Sequence, residues 1–123
     1  MPGTAVVIYR EPKGSVPLLE WLDELPAKAQ NKVVARIELL AERGRELRRP
    51  HCDYLAEQIY ELRVRLGHVH YRVLYAFVGK DVVLLSHGCT KERAVPKTEI
   101  AQAVRNLAAY RSDPARHTYV EDE

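Results

Sequence analysis

Apolar and polar positions divide the chain into short segments of differing period. Ala5 to Tyr9 is β-branched and aromatic and predicts a first strand. Glu11-Pro12-Lys13-Gly14 reads as a turn. Ser15 and Pro17 then offer a helix start: a capping oxygen, and a proline in the first turn where its missing N–H costs nothing. Leu18, Leu19, Trp21, Leu22 and Leu25 make that short helix amphipathic, and Pro26 breaks it. Ala29, Val33, Ile37, Leu40 and Ala41 recur at helical spacing, so a second helix is expected to run to a cap at Gly44. Arg45 to Leu55 reads as a basic linker. Ile59 to Leu66 alternates, with Tyr60, Leu62, Val64 and Leu66 on one side and Glu61, Arg63 and Arg65 on the other. His70 to Val78 and Val82 to His87 follow as strands. Gly67-His68-Val69 and Gly79-Lys80-Asp81 are links too short for anything but antiparallel neighbours. Pro96 opens a last helix with Ile100, Ala103, Val104, Leu107 and Ala108 on one face, ending near Tyr110.

The order is therefore β-α-α-β-β-β-α, an α+β single domain with a mainly antiparallel sheet and helices packed on one face. The domain is expected over 1–111, followed by a polar acidic tail over 112–123. A chain of 123 residues leaves no room for a second domain and can bury a core without staples.

Charge adds one point. The net charge is +2, but 112–123 holds Arg116 against Asp113, Glu121, Asp122 and Glu123. A tail of −3 thus follows a body of +5, a balance that suits a phosphate-rich partner. The tail is expected either to stay solvated or to fold over the cationic face and compete with such a partner. Cys52 and Cys89 form no metal or disulfide pattern and read as buried thiols in a reducing compartment. No apolar run approaches membrane-spanning length, and none follows a charged opening segment, so a cytoplasmic protein with no membrane contact is expected.

The meander is where chemistry would gather. Glu61, Arg63 and Arg65 share a face of one strand, and His70 and Arg72 a face of the next. His87 closes the third strand, and Lys91 and Arg93 follow it. Arginine forks bind phosphate oxygens and stabilise charge growing in a transition state. Imidazole moves protons near neutrality. RNA supplies its own nucleophile, the 2′-OH, so no metal and no cofactor is needed. No Asp, Glu, Cys and His cluster has ligand spacing. Trp21, Tyr75 and Phe77 read as core, and Glu61 as an ion-pair partner of Arg63.

Three runs in order, Ile59 to Gly67, His70 to Tyr75 and Leu85 to Arg93, together with Glu20 to Pro26 and Leu47 to His51, resemble the RelE/HigB family of type II toxins, nearest its phage-derived branch. The resemblance spans roughly 5–111 and implies a RelE-like fold. It also implies a ribosome-dependent mRNA endoribonuclease neutralised by a cognate antitoxin, of helix-turn-helix type. Arg72 matches the family's transition-state arginine and Lys91 and Arg93 its phosphate-binding loop. His87 matches the late-strand histidine some members use as acid or base. The catalytic set it implies is Arg72, His87 and Lys91, with Arg63, Arg65, Arg93, Arg48 and Arg49 toward RNA. RelE places a tyrosine in its last helix where this chain has Lys97. ParE-type toxins share the fold and poison DNA gyrase without cutting RNA. The late cationic cluster favours the nuclease over that alternative, and over a decayed protein that binds only its antitoxin.

Overall fold

The computed structural model describes residues 4–91 and 94–121, with Lys91 represented by its backbone alone. The elements are β1 (Ala5–Ile8), α1 (Pro17–Asp23), α2 (Ala27–Arg43), a 3₁₀ turn (Gly44–Glu46), β2 (Cys52–Ala56), β3 (Ile59–Leu66), β4 (Val69–Val78), β5 (Val82–Lys91) and α3 (Lys97–Ser112). The five strands lie in the order β1-β5-β4-β3-β2. All neighbours are antiparallel except β1 and β5, which run parallel. The expected α+β class and antiparallel meander hold.

Four details differ from the sequence reading. The stretch read as linker contains β2, which pairs with β3 through a two-residue hairpin. Its turn residues Glu57 and Gln58 both have positive φ, 51° and 72°. Such turns usually carry Asn-Gly, and Glu-Gln gives no such signal. Secondly, β5 extends four residues past His87, so Lys91 ends a strand instead of opening a loop. Thirdly, Ser15 does not cap α1. The N-cap is Val16 without a side-chain bond, and the Ser15 hydroxyl donates to Glu11 instead.

Fourthly, the helices take both faces of the sheet. Leu62, Val64, Val73, Tyr75 and Leu85 pack against α1 and α2. Ile59, Leu74, Ala76 and Leu84, on the reverse side of the same strands, pack against Ala103, Leu107 and Tyr110 of α3. Strands alternate sides residue by residue, so both faces of the central strands need apolar cover. α3 covers only part of its face, and what it leaves open carries the charged side chains.

Glycine decides one contact between layers. A Cβ on Gly88 would lie 2.1 Å from Trp21 Cε3, so the indole of α1 occupies the space a side chain would take on β5. Its Nε1 donates to Thr90 Oγ1 at 3.0 Å. Beyond α3 the chain returns to the β1 edge. Tyr119 N donates to Ile8 O at 2.8 Å and Arg10 N to His117 O at 2.9 Å. The buried His117 ring stacks on Tyr9, with centroids 5.4 Å apart. No helix among the described residues is long and apolar enough to cross a membrane.

Candidate functional site

Register puts the charged residues of the meander on one face. Arg63 pairs with Arg72, and Arg72 with Cys89. One row away Arg65 pairs with His70, and His70 with Lys91. On the other side Glu61 pairs with Leu74, and Leu74 with His87. Directly opposed residues share a face, and so do residues two apart along a strand. The cluster read from the sequence is thus brought together at the backbone level. The side chain of Lys91 and the whole of Arg93 lie outside the described residues.

Glu61 organises the centre. It is 4% exposed and bracketed by two arginines. Arg63 donates from Nε to Oε2 at 3.0 Å. Arg72 Nε stands 2.7 Å from Oε1, an ion-pair contact outside hydrogen-bond angles. A buried carboxylate survives only with such compensation. Its effect is to fix the rotation of the planar Arg72 guanidinium, itself largely buried. Arg63 also reaches Asp53 Oδ2 on β2 at 3.2 Å, and Arg49 reaches the same oxygen at 2.9 Å. Partial burial works against the charged form of Asp53. The hydrogen bonds from Arg49 and from Tyr54 N–H, with the charges of Arg49 and Arg63, outweigh it and hold the carboxyl below its usual range. The sequence reading missed Asp53 because it missed β2. Arg65 is exposed and donates to Gly67 O at 2.9 Å, and His70 is half-buried beside it in register.

His87 takes a different position. A bulge between the Leu74 and Tyr75 pairings turns both Ser86 and His87 toward α3. The imidazole is 4% exposed. Nε2 lies 2.9 Å from Glu99 Oε1, and Nδ1 lies 2.9 Å from Ser86 Oγ, which accepts from Asn106 Nδ2 at 2.9 Å. Asn106 must donate, so Ser86 donates to Nδ1 and the neutral ring donates from Nε2 to Glu99. Burial pushes the His87 pKa down, Glu99 partly opposes this, and the Arg105 charge adds to the lowering. His87 shares the face of Arg72 but lies beneath the first turn of α3. Nothing in the residue pattern pointed to Ser86, Glu99 and Asn106 as its partners, because the contacts join a strand bulge to two turns of a distant helix.

Arg48 and Arg49 do not stand with Arg72. They follow the 3₁₀ turn and line a cleft at the β2 edge. Arg48 Nη1 donates to Arg45 O at 2.6 Å. Cys52 and Cys89 are buried free thiols, as expected.

No curated protein matches the chain at a significant level. The family model for "Phage derived protein Gp49-like (DUF891)" matches residues 20–108, from α1 through most of α3, and includes every described residue of the charged face. The chain therefore belongs to the Gp49-like phage-derived protein family, a toxin–antitoxin-related family.

Proposed function

We propose that this toxin-like protein is a ribosome-dependent mRNA endoribonuclease, the toxin of a type II pair held inactive by a cognate antitoxin. The observation that carries the reading is the cross-strand row Arg63–Arg72, anchored on buried Glu61, with the Lys91 backbone one row away. A preorganised guanidinium beside other cations is what phosphodiester chemistry requires, because charge accumulates on the phosphoryl oxygens. The 2′-OH of RNA attacks the adjacent phosphorus, the bond to the 5′-oxygen breaks, and a 2′,3′-cyclic phosphate remains. One proton leaves the 2′-OH and one reaches the departing 5′-oxygen. Arg72 and Lys91 stabilise the pentavalent state, and Arg63, Arg65 and Arg93 hold flanking phosphates.

Proton transfer falls to His70, the half-exposed imidazole in register with Lys91. His87 is buried beneath the first turn of α3 with its ring held by Glu99. It acts as a positioning residue that ties α3 to β5.

The test is tightly controlled expression of the parent, Arg72→Ala and Lys91→Ala, following growth, mRNA integrity and product ends. The parent is expected to arrest growth and cut translated mRNA. Arg72→Ala is expected to lower cleavage by roughly 10²- to 10³-fold. Growth arrest with mRNA intact, or 3′-hydroxyl ends, would overturn the nuclease reading.

A further inference from the structure

A cleft lies away from Arg72, around the β2 edge of the sheet. Its volume is about 500 Å³, ample for a flat ring system. Tyr54, Tyr60 and Phe77 present rings to it, and Arg45, Arg48 and Arg49 rim it. Tyr54 and Tyr60 meet at 73° with centroids 5.1 Å apart, and Tyr60 and Phe77 at 79° and 5.3 Å. Tyr60 also stacks on buried Tyr75, at 20° and 5.4 Å, so the inner rings are packed against one another and the ring left to a ligand is that of Tyr54. Tyr54 is 52% exposed, a large aromatic on an edge strand that the fold leaves uncovered. The Arg45 guanidinium already lies over Phe77, 4.3 Å from the ring centroid, so planar cationic stacking occurs in this cleft.

The cleft is joined to the Arg72 face by charge. Arg72, Glu61, Arg63, Asp53 and Arg49 form an unbroken chain of ion pairs from β4 over β3 to the loop before β2. Each carboxylate sits between two arginines, and Arg45 and Arg48 add charge at the far end. Three arginines against two carboxylates leave the line one net positive charge, and the further positive charge sits at its β2 end. From β4 to β2 it crosses two strand spacings, roughly 10 Å, and a bound strand then rounds the β2 edge, because Tyr54, Tyr60 and Phe77 lie on the face of the sheet opposite Arg72. An exposed ring where cationic side chains gather is the equipment that holds single-stranded nucleic acid.

We propose that this cleft is a second RNA subsite, which stacks an unpaired nucleobase on the exposed ring of Tyr54 while the strand's phosphates follow the arginines from Arg72 round to Arg49. It rests on the reading of the protein as an RNA-cutting toxin and extends it: the cleft holds a nucleotide remote from the scissile bond. Base–aromatic stacking tolerates any base, so the subsite adds affinity and fixes the strand's path more than it selects sequence.

The test uses a single-stranded oligoribonucleotide, 2′-O-methylated throughout so that it cannot be cut, carrying one 2-aminopurine whose fluorescence is quenched by stacking. The parent is expected to quench it saturably. Tyr54→Leu should weaken binding by roughly 5- to 100-fold and abolish the quench. Tyr54→Phe keeps the ring and should restore both, which separates stacking from folding. If Tyr54→Leu binds and quenches like the parent while Arg72-dependent cutting persists, the subsite is overturned and the nuclease reading stands. If no mRNA is cut in cells but the quench still depends on Tyr54, the nuclease reading falls and the subsite survives as an RNA-binding site. If a poly-glutamate peptide occupies the cleft more tightly than the oligonucleotide, the surface serves protein docking and the proposal is wrong.

Discussion

At the scale of single residues, His87 shows how burial changes what an ionisable group does. An exposed histidine titrates near 6.5, but burial lowers the pKa of this one despite Glu99. A folded state that resists protonation loses stability once the unfolded chain begins to bind protons. His87 therefore contributes stability in full above about pH 6.5, and that contribution declines as pH falls toward its lower folded pKa. His51 adds the same sign, its pKa lowered by desolvation and by the charges of Arg36 and Arg43. Asp53 acts further down, below the usual carboxylate range, where its contribution is lost as pH falls through its depressed pKa. In urea denaturation at stepped pH, His87→Gln should flatten the fall just below pH 6.5 in part, and adding His51→Gln should flatten it further. An unchanged profile would mean that the ring is solvated. Gly88 makes a steric counterpart. Gly88→Ala puts a methyl group where Trp21 packs, which should cost about 1–3 kcal/mol. Trp21 is the only tryptophan, so its fluorescence reports displacement of that ring directly.

At the scale of elements, the edge hairpin is built against local preference. Glu57 and Gln58 both occupy the left-handed region, where an L side chain costs roughly 1–2 kcal/mol per residue. The pairing of β2 with β3 overrides that cost, helped by Gln58 N donating to the Tyr54 hydroxyl at 3.1 Å and by Arg111 donating to Gln58 Oε1 at 3.0 Å. Glu57 is exposed, and relieving its conformation with Glu57→Gly should raise stability by about 0.5–1 kcal/mol, read as a higher urea midpoint at constant slope. A lower midpoint would show that the turn is not strained. The hairpin matters to the site because it brings Asp53 beside Arg63 and Arg49.

At the scale of the whole molecule, two helices cover one face of the sheet, while one helix and a charged patch divide the other. The returning C-terminal segment closes the β1 edge, at the opposite side of the sheet from β2. Deleting residues 113–123 removes the His117 ring from Tyr9 and should lower stability by about 2 kcal/mol. The same deletion discriminates the two roles read for the acidic end. Docking of 117–119 along β1 directs the chain away from Arg72, so affinity for RNA at low salt should stay within about twofold. A marked gain in affinity would instead assign the end an autoinhibitory role.

The class, the antiparallel meander and the shared face of Glu61, Arg63 and Arg65 were legible in the chain, because a period of two is local and needs only neighbouring residues. The pairing of Glu61 with Arg63 was legible for the same reason. Tertiary structure decided what local period does not encode. An edge strand with an unmarked turn brought Asp53 to the site, and a longer β5 placed the Lys91 backbone beside His70. A bulge turned His87 under α3, away from solvent. Whether an arginine meets phosphate or carboxylate, and whether an imidazole meets water or a helix, depends on which strands become neighbours. Those pairings join residues tens of positions apart, through packing that no short window of sequence contains.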